Sequence, residues 1–310
     1  MTRYARNKLI LVKIESTEGT DPTPTVGSNA ISVRRADVTP VRATNRSRDK
    51  IRNFFGNSPQ MPADVYSEIE IEVELSGSGA AGTAPAWAPL LQACGFSETV
   101  NAGTSVVYAP ETPGVKTVTI YPYVDAVRHK MTGCRGTVRL SATREDIPVL
   151  TFTLWGVYNA AADSTPGTAT FANQATPVLF NRTETTVDLL GETPCLESFA
   201  LDLANRLSHR NLINCEDRIA ITGRSPQGSA QFEAPTVATY DWFAAAKVAT
   251  TDAVELVHGT TAGNIVTLEA PAVQVINPRY ANAPDDVVMI ATDLLFLPST
   301  GNDEITLTLT

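Results

Sequence analysis

The sequence predicts a mainly β protein made of two tandem β-sandwich or barrel domains, each flanked by one helix. Period-two runs rich in Val, Ile, Thr and aromatic residues recur along the whole chain, bounded by Gly, Pro, Asn and Asp, as half-buried pleated strands require. Only two segments read as helices, 85–94 (closed by Gly95) and 236–249, and each carries a tryptophan and follows a strand. The clearest strand, EIEIEVEL, sets Ile69, Ile71, Val73 and Leu75 on one face and Glu68, Glu70, Glu72 and Glu74 on the other.

In chain order, strands are expected at 9–14, 30–41, 65–75, 106–109, 115–123, 137–142 and 147–157. A second series is expected at 195–203, 218–222, 229–233, 254–258, 265–269, 273–276, 286–297 and 304–310. The two helices point to an internal repeat. Trp87 and Trp242 occupy similar places, and the last strands, IPVLTFTLWGVY and DEITLTLT, both alternate Thr with apolar residues. Before them, GTVRLSATRED is matched with VVMIATDLLFLPSTGND. Three segments follow: a first domain at 1–158 with an N-terminal arm and a long basic loop at 42–64, a linker at 159–190, and a second domain at 191–310. The linker is rich in Ala, Thr, Pro and Asn, with one short strand expected near 178–180.

A chain of 310 residues with 43% hydrophobic and 18% charged residues can bury a sizeable core, and no apolar run approaches the roughly 18 residues of a membrane helix. A soluble chain is expected. The four scattered cysteines lack metal or disulfide spacing and suit reduced thiols in a protein made in a cytoplasm. Charge divides unevenly. Residues 1–158 carry 17 Lys and Arg against 15 Asp and Glu, a net of +2, whereas residues 159–310 carry 7 against 18, a net of −11. The basic residues crowd into 34–52, but the net charge of −9 opposes electrostatic affinity for nucleic acid. Pairing with an acidic surface of another copy fits better.

Catalytic constellations are absent. His129, His209 and His258 lie far apart, without the i, i+3 or i, i+4 spacing of metal sites, and His209 reads as part of a polar loop. No nucleophile elbow or phosphate loop occurs. Gly77, Gly79 and Gly82 spell G-x-G-x-x-G, but the strand before them alternates instead of running apolar, and Glu98 and Glu111 miss the ribose-binding spacing. The glycines are read as a flexible connection. No enzyme activity, cofactor or metal is expected. The glutamate face has two readings: a solvated face neutralised by Arg34 and Arg42 on a neighbouring strand, or a lining that repels a polyanion.

The runs KIESTEGTDPTPT, EIEIEVELSGSG and APAWAPLLQACGFSET resemble the major tail protein, or tail tube protein, of long-tailed bacteriophages with non-contractile tails. The likeness is strongest over 9–99 and architectural beyond. It implies a virion protein without enzymatic activity whose sheets join between subunits into rings, the rings stacking into a tube that conducts DNA without binding it. It also implies tape measure and terminator proteins as partners. The internal repeat favours a trimer with pseudo-sixfold symmetry over a hexamer. Glu68, Glu70, Glu72 and Glu74 are candidate lumen residues. The loop bearing Arg46, Arg48, Lys50, Arg52, Phe54 and Phe55 is a candidate contact to the next ring. The rivals are a tail terminator, a decorated tail protein and a carbohydrate-binding β-sandwich module. The last needs clustered exposed aromatics, whereas Trp87, Trp155 and Trp242 sit at core-like positions.

Overall fold

The computed structural model describes residues 3–282 and 286–310. Its first half contains β1 (Lys8–Ile14), β2 (Ala30–Ile31), β3 (Arg35–Ser47), β4 (Gln60–Glu74), α1 (Ala88–Ala93), β5 (Phe96–Asn101), β6 (Ser105–Pro110), β7 (Val118–Val124), β8 (Val127–Thr143) and β9 (Val149–Asp163). The second contains β10 (Thr185–Leu189), β11 (Leu196–Asp202), β12 (Arg206–Arg210), β13 (Arg218–Gly223), β14 (Gln227–Glu233) and α2 (Trp242–Lys247). It ends with β15 (Thr251–His258), β16 (Val266–Asn282), β17 (Val288–Phe296) and β18 (Thr306–Leu309). The mainly β expectation is met. Among the described residues, sixteen strands share one antiparallel network, and β12 and β13 pair only with each other.

The pairing order repeats. In the first half it runs β1-β7-β8-β9-β4-β3, and in the second β10-β15-β16-β17-β14-β11, with α1 after β4 and α2 after β14. This changes how the two segments correspond. GTVRLSATRED lies on β8, whose counterpart by pairing is β16, not the β17 segment VVMIATDLLF. The place of β9 is divided: β17 pairs with Val273–Asn282 of β16 and β18 with Val266–Glu269. The hairpin β5–β6 is additional to the first half, and β18 pairs with β6 across the halves.

Two long strands organise the sheet. β8 carries β9 along one edge, while its other edge takes β7 first and β11 at Arg139–Thr143. Eight strands therefore run continuously, β3-β4-β9-β8-β11-β14-β17-β16. One of its apolar rows passes through Val73, Leu150, Leu140, Leu201, Gly228, Leu294 and Val275. The core it joins spans both halves, and Trp87 and Trp242 are buried in it, sealed by the helices. Trp155 departs from the core-like position expected of it. It lies on the opposite sheet face, stacked on Tyr66 at 4.6 Å.

The helices are shorter than their apolar patterns. α1 begins after Pro85, with Pro89 in its first turn. α2 starts only at Trp242 because Asp241 caps it, accepting from the amides of Phe243 at 3.1 Å and Ala244 at 2.9 Å. β5, β10 and β12 are strands that alternation did not single out. Residues 178–180 form no strand; the Phe180 amide instead donates to the Asp146 carbonyl, and its ring is buried beside His258.

The glycine-rich turn is a close-packed joint, unlike the flexible connection expected. A Cβ on Gly77 would sit 2.1 Å from the Gly263 carbonyl oxygen, and one on Gly82 would sit 2.2 Å from the Gly103 amide nitrogen. The Gly79 amide donates to Gly263 O at 2.9 Å, and the Gly77 amide to Asn264 Oδ1 at 2.7 Å. Backbone fills the space a phosphate would need. Near the N terminus, buried Glu15 accepts from the amides of Gly19 and Gly133 and from the hydroxyls of Thr117 and Thr119, all within 2.8 Å. One carboxylate thereby ties the loop after β1 to β7 and β8.

Two stability outcomes follow from these contacts. Glu15→Ala strands buried donors and is expected to lower unfolding stability by about 3 kcal/mol or more in denaturant titration, whereas Glu216→Ala, at an exposed side chain, costs under about 0.5 kcal/mol. Gly77→Ala is expected to cost about 1–3 kcal/mol, and Gly27→Ala, whose Cβ would meet nothing within 4 Å, under about 0.5 kcal/mol. Equal effects within either pair would contradict the contacts described.

Candidate assembly surfaces

The face of the eight-stranded run opposite the core is mostly polar, with Val149, Ala200, Ile276 and Leu295 among its charged and hydroxyl side chains. One row across it reads Arg35, Glu72, Thr151, Arg139, Asp202, Gln227, Leu295 and Gln274. The next reads Glu74, Val149, Ser141, Ala200, Ser229, Asp293 and Ile276. All four glutamates of β4 lie on this face, and Ile69, Ile71 and Val73 are fully buried on the other. Arg42 approaches Glu68 at 3.2 Å and Arg34 approaches Glu72 at 3.9 Å, so both arginines partner the row within one chain. These exposed pairs are worth at most about 1 kcal/mol each. Among the described residues, Glu70 and Glu74 have no ion-pair partner. By register the face carries the carboxylates Asp37, Glu68, Glu70, Glu72, Glu74, Asp202, Glu233 and Asp293, against the guanidiniums of Arg35, Arg42, Arg135, Arg139 and Arg279.

The two ends of this sheet are open. Among the described residues, β3 pairs only with β4, and beyond Gln274 β16 pairs only with β17. Exposed strand edges invite pairing with another chain. Lys8 guards part of the β3 edge: its Nζ donates to the Ala36 carbonyl at 2.6 Å and lies 3.8 Å from Asp37. At the β16 end Tyr280 is 66% exposed.

Beyond Thr39 and Tyr66 the β3–β4 hairpin continues as an arm with its tip at 48–59. Arg46, Arg48 and Lys50 are exposed along it, and the Arg52 guanidinium lies 5.7 Å from the Phe54 ring centroid. Phe54 is 66% exposed and Phe55 wholly so, with Val41, Ile51 and Met61 also exposed. The β12–β13 hairpin occupies the matching place between β11 and β14, but it folds back onto the first half. Arg135 donates to the Ile219 carbonyl at 2.6 Å, and Asn205 donates to the carbonyls of Cys94 and Gly136. His209, expected in a polar loop, is on β12 with its ring buried over Tyr66 and set 2.7 Å from Asp64 and 2.5 Å from Asp217. Asp64 and Tyr66 come from β4, distant in sequence, which local composition does not reveal.

Among the described residues, no group of three or more His, Cys, Asp or Glu side chains is placed to hold a metal ion. A cavity of about 830 Å³, bordered by Arg144, Phe180, Arg182, Cys195 and Glu233, has no histidine in its wall. Burial lowers the pKa of His258, whose Nδ1 is 2.8 Å from the Thr185 hydroxyl, and so favours its neutral form. Burial also raises the Cys94 thiol, which disfavours the reactive thiolate. No helix among the described residues is long and apolar enough to cross a membrane.

No curated protein matches the chain. A family model described as phage tail tube protein matches residues 5–308, nearly the whole length. That span includes the polar face, both open edges, the arm and the back-folded hairpin. With this match over its mainly β network, the chain belongs to the phage tail tube protein family, structural components of the virion tail.

Proposed function

We propose that this chain is a tandem duplication of a tube domain and that three copies close into a ring with pseudo-sixfold symmetry. The single observation carrying the proposal is the pairing of β8 with β11, which joins the two matching halves into one sheet. The first domain ends in β9 and the second starts at β10, so the connecting segment is narrowed from 159–190 to 164–184. By the same pattern, the free part of β16 takes the role of β8, and β3 of the next copy takes the role of β11.

Aligning Glu74 with Glu233, the last ladder residue before each helix, sets Ile69 against Gly228, Val38 against Leu201 and Tyr280 against Leu140. Since Leu140 pairs with Leu201 inside the chain, Tyr280 pairs with Val38 of the neighbour. Exposure agrees with this. Leu140 and Leu201 are buried at 4% and 8%, whereas Tyr280 is 66% exposed and Val38 is half-buried, awaiting cover. The alignment also explains closure. Along the continuous sheet it is Val73, four residues beyond Ile69, whose row reaches Gly228, so each domain is staggered by four residues for four strands crossed. Three copies give about twenty-four strands with a stagger of about twenty-four residues, the ratio of an eight-stranded barrel of shear 8 tilted by about 36°. At about 4.8 Å between strands, such a barrel is roughly 45 Å across between backbones.

With apolar residues directed to the core, the polar face of the sheet lines the channel. Its excess of carboxylates, centred on Glu70 and Glu74, keeps phosphates from being gripped, because each phosphate neutralised adds affinity and slows transit. Rings stack into the tube of a long, non-contractile tail that conducts DNA into the host, and the arm tip bearing Phe54 and Phe55 reaches the next ring. The chain is made in the bacterial cytoplasm and assembles with tape measure and terminator proteins.

The seam is tested by cysteine pairing in a chain whose exposed Cys195 and Cys215 are replaced by serine. Val38→Cys with Tyr280→Cys is expected to give covalent dimers and trimers on oxidation of assembled protein, and neither single variant should do so. Monomer alone after oxidation of assembled protein contradicts the seam. Changing Glu70, Glu72 and Glu74 to Lys is expected to preserve tube formation while slowing DNA ejection severalfold at low salt. Unaltered ejection from such tubes would place those residues away from the channel.

A further inference from the structure

The position of β12–β13 carries an inference about the arm. Both hairpins extend corresponding pairs of strands, β11–β14 in one half and β3–β4 in the other, yet β12–β13 lies along the first half, whereas the arm meets β12 at its base, through Asp64 and His209, and its outer part is exposed. It buries Ile219 and covers the end of α1, where Cys94 and Gly95 are both buried; Ile221 comes within 3.8 Å of the place a Gly95 Cβ would occupy.

The matching place in the second half is bare. Cys94 is the C-cap of α1 and Val248 the C-cap of α2, and the following residues, Gly95 and Ala249, both have positive φ. The two helix ends correspond residue for residue, but Val248 is 71% exposed and Ala249 is exposed. The arm, meanwhile, leaves Val41 and Met61 more than half exposed at its base. We infer that the base of the arm docks on the second half of the neighbouring copy, setting Met61 against Val248 beside the end of α2, in the manner of β12–β13 on α1 and β8 within the chain.

Three observations select a second copy of this chain as the occupant. The internal hairpin supplies the geometry, and counting back seven residues from Gly228 and from its counterpart Ile69 gives Ile221 and Pro62, adjacent to Met61. The site is continuous with the β16–β3 seam, which delivers the arm of the copy whose β3 is paired there. Charge agrees as well, since the arm carries Arg42, Arg46, Arg48, Lys50 and Arg52 against Asp49 and Asp64, while residues 159–310 carry a net charge of −11. This inference rests on the ring proposed above and assigns the arm two contacts: its base within the ring and its tip beyond it.

The test uses the full chain lacking exposed cysteines, assembled and then oxidised, with Met61→Cys and Val248→Cys combined and the Val38→Cys, Tyr280→Cys pair run in parallel. Covalent trimers from both pairs support the docking. Trimers from the seam pair alone, or Met61–Val248 links that join only stacked rings, overturn the docking and leave the ring intact. Absence of links from either pair, with no rings formed, overturns both. Separately, Val248→Lys is expected to raise the concentration needed for half-assembly at least tenfold without changing the thermal midpoint of the unassembled chain. An unchanged assembly concentration counts against the docking.

Discussion

The pairing of β8 with β11 is the constraint on which the rest of the structure depends. Without it the chain would be two small sheets, each exposing unpaired edges and an incomplete core. With it, eight strands share one register, so a single alternation divides core face from polar face over the whole span. A slip of β11 by one residue at the joint would turn Leu201 outward and bring Asp202 to the core face beside Leu140. The joint is reinforced at two other places, the β6–β18 ladder and the close packing of Gly77 on Gly263. In the proposed ring, such fixing sets the curvature that each chain contributes.

The same joint makes the open ends of the sheet interpretable. An edge strand alone says only that pairing is available. An edge whose counterpart is already paired within the same molecule also specifies partner strand, direction and register. Lys8, seated on the Ala36 carbonyl, suits an edge that must stay unpaired until the right strand arrives. Under the docking proposed above, β12–β13 stands for the docked arm and the end of α1 for the covered end of α2.

Much of this was legible in sequence where the signal is local. Strict alternation along Glu68–Leu75 gave both faces of β4, and tryptophans after strands marked both helices. The glutamate row was read as needing basic partners, and Arg34 and Arg42 stand where that reading asked, though Glu70 and Glu74 stay unneutralised. What escaped was set by distant contacts. His209 looks like a loop residue because Asp64 and Tyr66, which bury it, are more than a hundred positions away. The glycine turn looked flexible because the backbone pressed against it belongs to the other half. The repeat was visible as an order of elements, but its correspondence was shifted, since the strand matching β9 is interrupted between β17 and β18 and no local pattern reveals such a break.

The central claim is that one chain supplies two of six equivalent positions around a channel, with the seam between chains built like the joint inside one. A reconstruction of assembled tubes by electron microscopy measures this directly. The account predicts three chains per ring, β16 of one copy paired antiparallel with β3 of the next, and Glu70 facing the lumen. Six chains per ring, or a seam made by any other pair of strands, would contradict it.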